Sequence, residues 1–123
     1  MVEFKTLLVD DEEELVTALV ERLAYRGIGA EYALDGYSAL AKMREDDFDV
    51  VLLDLKLPGM GGLEVLGRIN NEFPNVPVLL LTGHGALESE PEPKPEGAFA
   101  YLLKPVQLDD LIDKMREAVK SRG

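Results

Sequence analysis

Apolar residues are distributed along the chain in two alternating patterns. Four runs are short and nearly continuous: Thr6-Leu7-Leu8-Val9, Val50-Val51-Leu52-Leu53, Val76 to Leu81 with Pro77 inside it, and Phe99 to Leu103. Continuous runs of this length suit strands covered on both faces, as in a parallel sheet sandwiched by helices. A fifth, weaker run from Ile28 to Leu34 contains Glu31 and predicts an edge strand. The segments between them have helical period. Leu15, Val16, Leu19, Val20 and Leu23 share one face of a helix predicted from about Glu12 to Arg26, with Gly27 as a left-handed stop. Leu40 and Met43 mark a shorter helix that ends before Asp46-Asp47, and Leu63, Leu66 and Ile69 mark a third from about Gly62 to Glu72, closed off by Phe73-Pro74. Leu108, Leu111, Ile112, Met115 and Val119 mark the last, from about Leu108 to Lys120. The alternation predicts one doubly wound α/β domain with a five-stranded parallel sheet over residues 1–123, without internal repeats or an interdomain linker.

One crossover departs from the pattern. Between the fourth and fifth strands the chain reads Leu87-Glu88-Ser89-Glu90-Pro91-Glu92-Pro93-Lys94-Pro95-Glu96-Gly97. A proline inside a helix costs roughly 3 kcal/mol, and it pushes the preceding residue toward extended backbone. Prolines at 91, 93 and 95 therefore predict a solvated loop, partly polyproline II, in place of a fourth crossover helix. Such a loop serves either as a surface connector or as a segment that binds a partner.

Composition narrows the chemistry. With 46% hydrophobic and 30% charged residues the chain has the balance of a globular protein. The absence of Cys removes disulfides, thiolate zinc sites and cysteine nucleophiles, and a single His removes multi-histidine metal sites. The net charge of −11 opposes binding to nucleic-acid phosphates, and no stretch of the sequence is locally basic enough to offset it. The start, Met1-Val2-Glu3-Phe4-Lys5, lacks the basic-then-apolar pattern of a secretory signal, and no apolar stretch approaches the roughly 20 residues of a membrane helix. The expected location is cytoplasmic.

Ligands of open α/β sheets bind beyond the carboxyl ends of the strands. Asp10 and Asp11 follow the first strand and Asp54 ends the third. In the flavodoxin-like strand order 2-1-3-4-5 those two strands are neighbours, so the three acids meet in one crevice. Carboxylates that close repel unless a cation lies among them, and an all-oxygen site suits Mg²⁺. The Asp10-Asp11 pair taken alone is better explained as a helix cap. Asp54 in a separate run, Thr82 at the end of the fourth strand and Lys104 at the end of the fifth change the picture. A carboxylate nucleophile, a divalent metal, a hydroxyl donor and an ammonium are the parts that in-line phosphoryl transfer needs.

On these residues the chain resembles the receiver domain of a two-component response regulator. The resemblance rests on Leu7-Leu8-Val9-Asp10-Asp11-Glu12, on Val51-Leu52-Leu53-Asp54-Leu55-Lys56-Leu57-Pro58-Gly59-Met60-Gly61-Gly62-Leu63-Glu64, on Leu81-Thr82-Gly83, and on Gly97-Ala98-Phe99-Ala100-Tyr101-Leu102-Leu103-Lys104-Pro105. It implies that Asp54 accepts a phosphoryl group from the phosphohistidine of a histidine kinase or phosphotransfer protein. Mg²⁺ would be held by Asp11, Asp54 and the backbone carbonyl of Lys56, with Asp10 acting through a water. Thr82 and Tyr101 would form the switch pair, Gly83 would leave room for the phosphoryl group, and Lys104–Pro105 would be a cis peptide. Lys56 and His84 would tune hydrolysis of the phosphoaspartate. The resemblance also implies a signalling protein rather than a turnover enzyme, a monomer or weak homodimer acting on an output domain or effector protein. It leaves open whether the domain stands alone or belongs to a longer regulator. Ala100, where the family often has Asp, and the Pro-rich crossover are departures that bear on signal output.

Other readings fit less well. A Ser-His-Asp hydrolase would have to use His84 with Ser38, Ser89 or Ser121, none of which lies in a nucleophile elbow. An aspartyl-phosphate hydrolase needs a second acid two residues beyond its nucleophile, where this chain has Lys56. A flavodoxin would set its phosphate loop against Asp10-Asp11-Glu12-Glu13-Glu14, which repels it. The remaining alternative is a pseudo-receiver, an interaction module with the same fold that does not become phosphorylated.

Overall fold

The computed structural model describes residues 1–83 and 96–122. The predicted Pro-rich loop, apart from Glu96 and Gly97, lies outside the described residues, as does His84. The strands are β1 (Lys5–Val9), β2 (Gly29–Ala33), β3 (Val50–Asp54), β4 (Val78–Thr82) and β5 (Ala100–Leu103). The helices are α1 (Glu13–Tyr25), α2 (Gly36–Glu45), α3 (Gly62–Glu72) and α4 (Leu108–Ser121). The sheet has the order β2-β1-β3-β4-β5 and all its ladders are parallel. The weak run with Glu31 is the edge strand β2, as its single charged residue among apolar ones predicted. Among the described residues no helix is long and apolar enough to cross a membrane.

Continuous apolar runs are explained by what the two faces of the sheet touch. Successive side chains of a strand point to opposite faces. Leu7, Val9, Val51, Leu53, Val78 and Leu80 pack with Leu40 and Met43 of α2 and with Val65, Leu66 and Ile69 of α3. Their neighbours Leu8, Val50, Leu52, Leu79 and Leu81 pack with Val16 and Leu23 of α1 and with Leu111, Ile112 and Met115 of α4. Two cores thus share one sheet, and every residue of β3 and β4 is buried.

Local chemistry fixes where elements start and stop. β4 begins directly after Pro77, which has no N–H to donate to the ladder but whose carbonyl accepts from Val51 N at 3.0 Å. The predicted start at Val76 is shortened for that reason. Gly27, at φ +78°, closes α1 as expected. Gly62 is required by space, since a Cβ there would fall 2.5 Å from the Leu55 Cα. The loop between β3 and α3 is pinned at that contact, with Gly62 N donating to Leu55 O at 3.1 Å. This brings the segment that follows Asp54 back against the sheet.

Candidate functional site

The strand registers bring the predicted site residues to one rim. Val9 pairs with Leu53, Asp54 with Leu81, and Thr82 with Leu103, so Asp10, Asp54, Thr82 and Lys104 stand at or just beyond the carboxyl ends of adjacent strands. Backbone bonds prolong the ladders to this rim. Asp10 N donates to Ala33 O at 3.1 Å, Leu55 N to Leu81 O at 3.2 Å, and Lys104 N to Thr82 O at 2.8 Å. The Lys104–Pro105 peptide is cis.

The Lys104 ammonium lies 2.8 Å from Glu12 Oε1, 3.0 Å from Asp10 Oδ2 and 3.3 Å from Asp54 Oδ2. The carboxylates of Asp10 and Asp54 are 5% and 6% exposed, whereas that of Glu12 is 60% exposed, so the ammonium spans from the buried floor of the site to its mouth. Asp54 Oδ1 accepts from Lys56 N at 3.1 Å, and Asp10 Oδ1 accepts from Glu12 N at 2.9 Å, an Asx turn that leads into α1. Asp10 Oδ2 is buried and accepts no hydrogen bond among the described residues; it faces the ammonium as a charge.

Burial pushes the Asp54 carboxyl above its usual range, and the charge of Asp10 adds to that; the Lys56 amide and Lys104 oppose it without prevailing. Burial would lower the Lys104 ammonium, but its hydrogen bond to Glu12 and the close negative charges of Asp10 and Asp54 outweigh it, so Lys104 is held above the usual lysine range. It is a fixed positive charge at any physiological pH.

Asp10, Glu12 and Asp54 each offer a carboxylate oxygen, all within 4.8 Å of one another, and together they could hold a metal ion. The donor set is hard oxygen throughout, and one buried oxygen, Asp10 Oδ2, has no hydrogen-bond donor among the described residues. Three carboxylates against one ammonium leave an excess of two negative charges, which a divalent cation would neutralise. These residues fit such an ion.

Of the residues expected to bind metal, Asp10 and Asp54 belong to this group, while Asp11 is exposed and lies outside it. Lys56 contributes its backbone N–H to Asp54, and its side chain is exposed. Glu12 is the member that the sequence reading left out. The signal was present, as the third acid of the run after β1, but acids are so common in the first turn of helices that its reach to Lys104 could not be read from spacing. Thr82 is fully buried and its hydroxyl donates to Gly83 O at 3.3 Å. A Cβ on Gly83 would meet none of the described residues within 4 Å. Tyr101 pairs with Leu80 and packs, half-buried, against the α2–α3 core.

The sequence model of the response regulator receiver domain matches residues 6–116. The chain is 38% identical over 117 residues to the probable transcriptional regulatory protein TcrX of Mycobacterium tuberculosis, covering 95% of this chain and 50% of that protein. It is 33% identical over 117 residues to the uncharacterized transcriptional regulatory protein YkoG of Bacillus subtilis, covering 95% of this chain and 51% of that one. It spans about half the length of these two curated relatives. Among solved structures, the response regulator receiver domain protein from Clostridium thermocellum superposes with a TM-score of 0.88 at 32% identity, covering 97% of this chain and 96% of that one. The CheY-like receiver domain protein of Methanospirillum hungatei does so with a TM-score of 0.87 at 31% identity, over 97% and 95% of the two chains. Sheet order, the acidic rim and a match over residues 6–116 lead to one conclusion: the chain belongs to the family of response regulator receiver domains of two-component systems.

Proposed function

We propose that this domain accepts a phosphoryl group on Asp54 from a phosphohistidine, with Mg²⁺ bound at the acidic rim, and changes conformation as a result. The observation that carries the reading is the convergence on one buried carboxylate, Asp54, of a fixed ammonium at 3.3 Å and a group of oxygens that fits a divalent ion. Asp10 and Asp54, with Asp11 at the mouth, would hold the ion. When bound, Mg²⁺ supplies neutralising charge to the phosphoryl oxygens.

In the transfer, a carboxylate oxygen of Asp54 forms the new O–P bond while the P–N bond of the donor breaks. The electron pair of that bond returns to the ring nitrogen, and the imidazole, protonated on its other nitrogen, leaves neutral. Lys104 exchanges a carboxylate partner for a phosphoryl oxygen, and the charge it brings is already in place. The Thr82 hydroxyl gives up its long bond to Gly83 O and donates to another phosphoryl oxygen. Gly83 leaves the room this requires, and Tyr101 follows Thr82 inward. Lys56 and His84 set the lifetime of the phosphoaspartate.

The partners that follow are a histidine kinase or phosphotransfer protein as donor and an output domain or effector protein as recipient of the signal. The domain works in the cytoplasm as a monomer or weak homodimer, makes no direct contact with nucleic acid or membrane, and is a signalling protein rather than a turnover enzyme. Incubation with labelled acetyl phosphate and Mg²⁺ tests the reading. The expected product is an acid-stable, base-labile label on Asp54 that Asp54→Asn abolishes. No label on the wild-type chain would favour the pseudo-receiver, and undiminished label at the same site in Asp54→Asn would overturn the assignment.

A further inference from the structure

Glu12 occupies the N-cap position of α1, with extended backbone (φ −84°, ψ 92°), yet its side chain makes no capping hydrogen bond. A short polar side chain such as Asp at an N-cap turns back onto the free amides of the first turn. Asp35 does so at the start of α2, accepting from Ser38 N at 2.7 Å. Glu12 instead extends to an ammonium 92 residues further along the chain and makes the shortest of the three carboxylate contacts of Lys104 among the described residues.

The three contacts pull Lys104 in two directions. Asp10 and Asp54 draw the ammonium inward, onto the oxygens that a divalent ion and an incoming phosphorus would use, whereas Glu12 draws it outward. We propose that Glu12 is a positioning residue: its carboxylate holds the Lys104 ammonium at the edge of the site, so that a cation can take the Asp10 and Asp54 oxygens without leaving that ammonium unpaired. The inference rests on the phosphoacceptor reading above and adds to it a residue that acts through Lys104. Without Glu12 the ammonium settles on the two buried carboxylates and competes with the metal for them.

A double-mutant cycle read in Mg²⁺ affinity by titration calorimetry tests this, using wild-type, Glu12→Gln, Lys104→Met and the double variant. Glu13→Gln removes the same charge one residue on. Glu13 is not among the carboxylates that contact Lys104, so this variant reports the field effect alone. The expected result is a fall in affinity of about threefold for Glu12→Gln beyond that of Glu13→Gln, the size of a partly exposed ion pair. In the Lys104→Met background that extra fall vanishes, and Glu12→Asp partly restores the wild-type affinity. An equal fall in both backgrounds would overturn the proposal and make Glu12 a direct ligand; no fall beyond the control would overturn it as well. A wild-type chain that binds no Mg²⁺ would instead sink the reading on which the proposal rests, and the proposal with it.

Discussion

At Asp54 the fold and the site have opposing requirements. Burial and the neighbouring Asp10 raise its pKa against the pull of the Lys56 amide and Lys104. A carboxyl whose folded pKa is raised favours folding below its unfolded pKa, near 3.9, and loses that contribution as pH rises through the folded value. At neutral pH without divalent ions, ionised Asp54 therefore works against folding. Asp54→Asn is expected to raise the melting temperature of the metal-free domain at pH 7, by a few degrees if about 1 kcal/mol of repulsion is relieved, with the gain vanishing at pH 3. Mg²⁺ is expected to reverse the order. At about a hundred times its Kd an ion that binds only the folded state adds about 2.7 kcal/mol to the wild type, and Asp54→Asn, lacking a ligand charge, receives much less. Thermal melts of both proteins with and without Mg²⁺ check this; a variant that gains as much from the ion as the wild type would contradict it.

The elements were legible where apolar period and turn chemistry agreed. α3 runs from Gly62 to Glu72, where the apolar period and Phe73-Pro74 put it, and the edge position of β2 followed from Glu31. α2 is longer at its start than Leu40 and Met43 indicated, because its first turn is set by the Asp35 cap and by Gly36, both polar or small and silent in a hydrophobic pattern. The positions of Asp10, Asp54, Thr82 and Lys104 on one rim could be read because strand ends are marked by where an apolar run stops. The partner of Lys104 at Glu12 could not, since it depends on a side chain reaching between elements far apart in sequence. Two substitutions test these element-level forces. Asp35→Ala removes the bond to Ser38 N and is expected to cost about 1 kcal/mol in urea denaturation. Gly62→Ala drives a Cβ into the Leu55 backbone at 2.5 Å, where no side chain can yield. It should cost more than the lost cap, on the order of 1–3 kcal/mol, and weaken Mg²⁺ binding by shifting the segment after Asp54.

For the whole molecule the balance of acids governs behaviour with pH. Glu3 is held below the usual carboxylate range by hydrogen bonds from Arg116 at 2.8 and 2.9 Å, which tie the start of the chain to α4. Asp46 is lowered by its hydrogen bond from Lys5, and Glu72 by the hydrogen bond from Arg44 at 2.5 Å that joins α2 to α3. Acids with depressed folded pKa values contribute stability that is complete above their unfolded range, near 4, and is lost as pH falls through the folded values. Asp54 has the opposite sign, but it is one group against these three, and a net charge of −11 at pH 7 turns positive once the carboxylates are protonated. The fold thus exchanges moderate repulsion among acids for repulsion among 13 Lys and Arg residues without their partners. The urea midpoint is therefore expected to fall between pH 6 and pH 3 in low salt. Because the paired groups are solvent-exposed, 0.5 M salt should narrow that difference by screening the pairs at pH 6 and the repulsion at pH 3. A midpoint that rises on acidification would mean that relief at the acidic rim outweighs the surface pairs. Repeating the titration with Asp54→Asn would then locate the effect, because the rise should shrink in that variant.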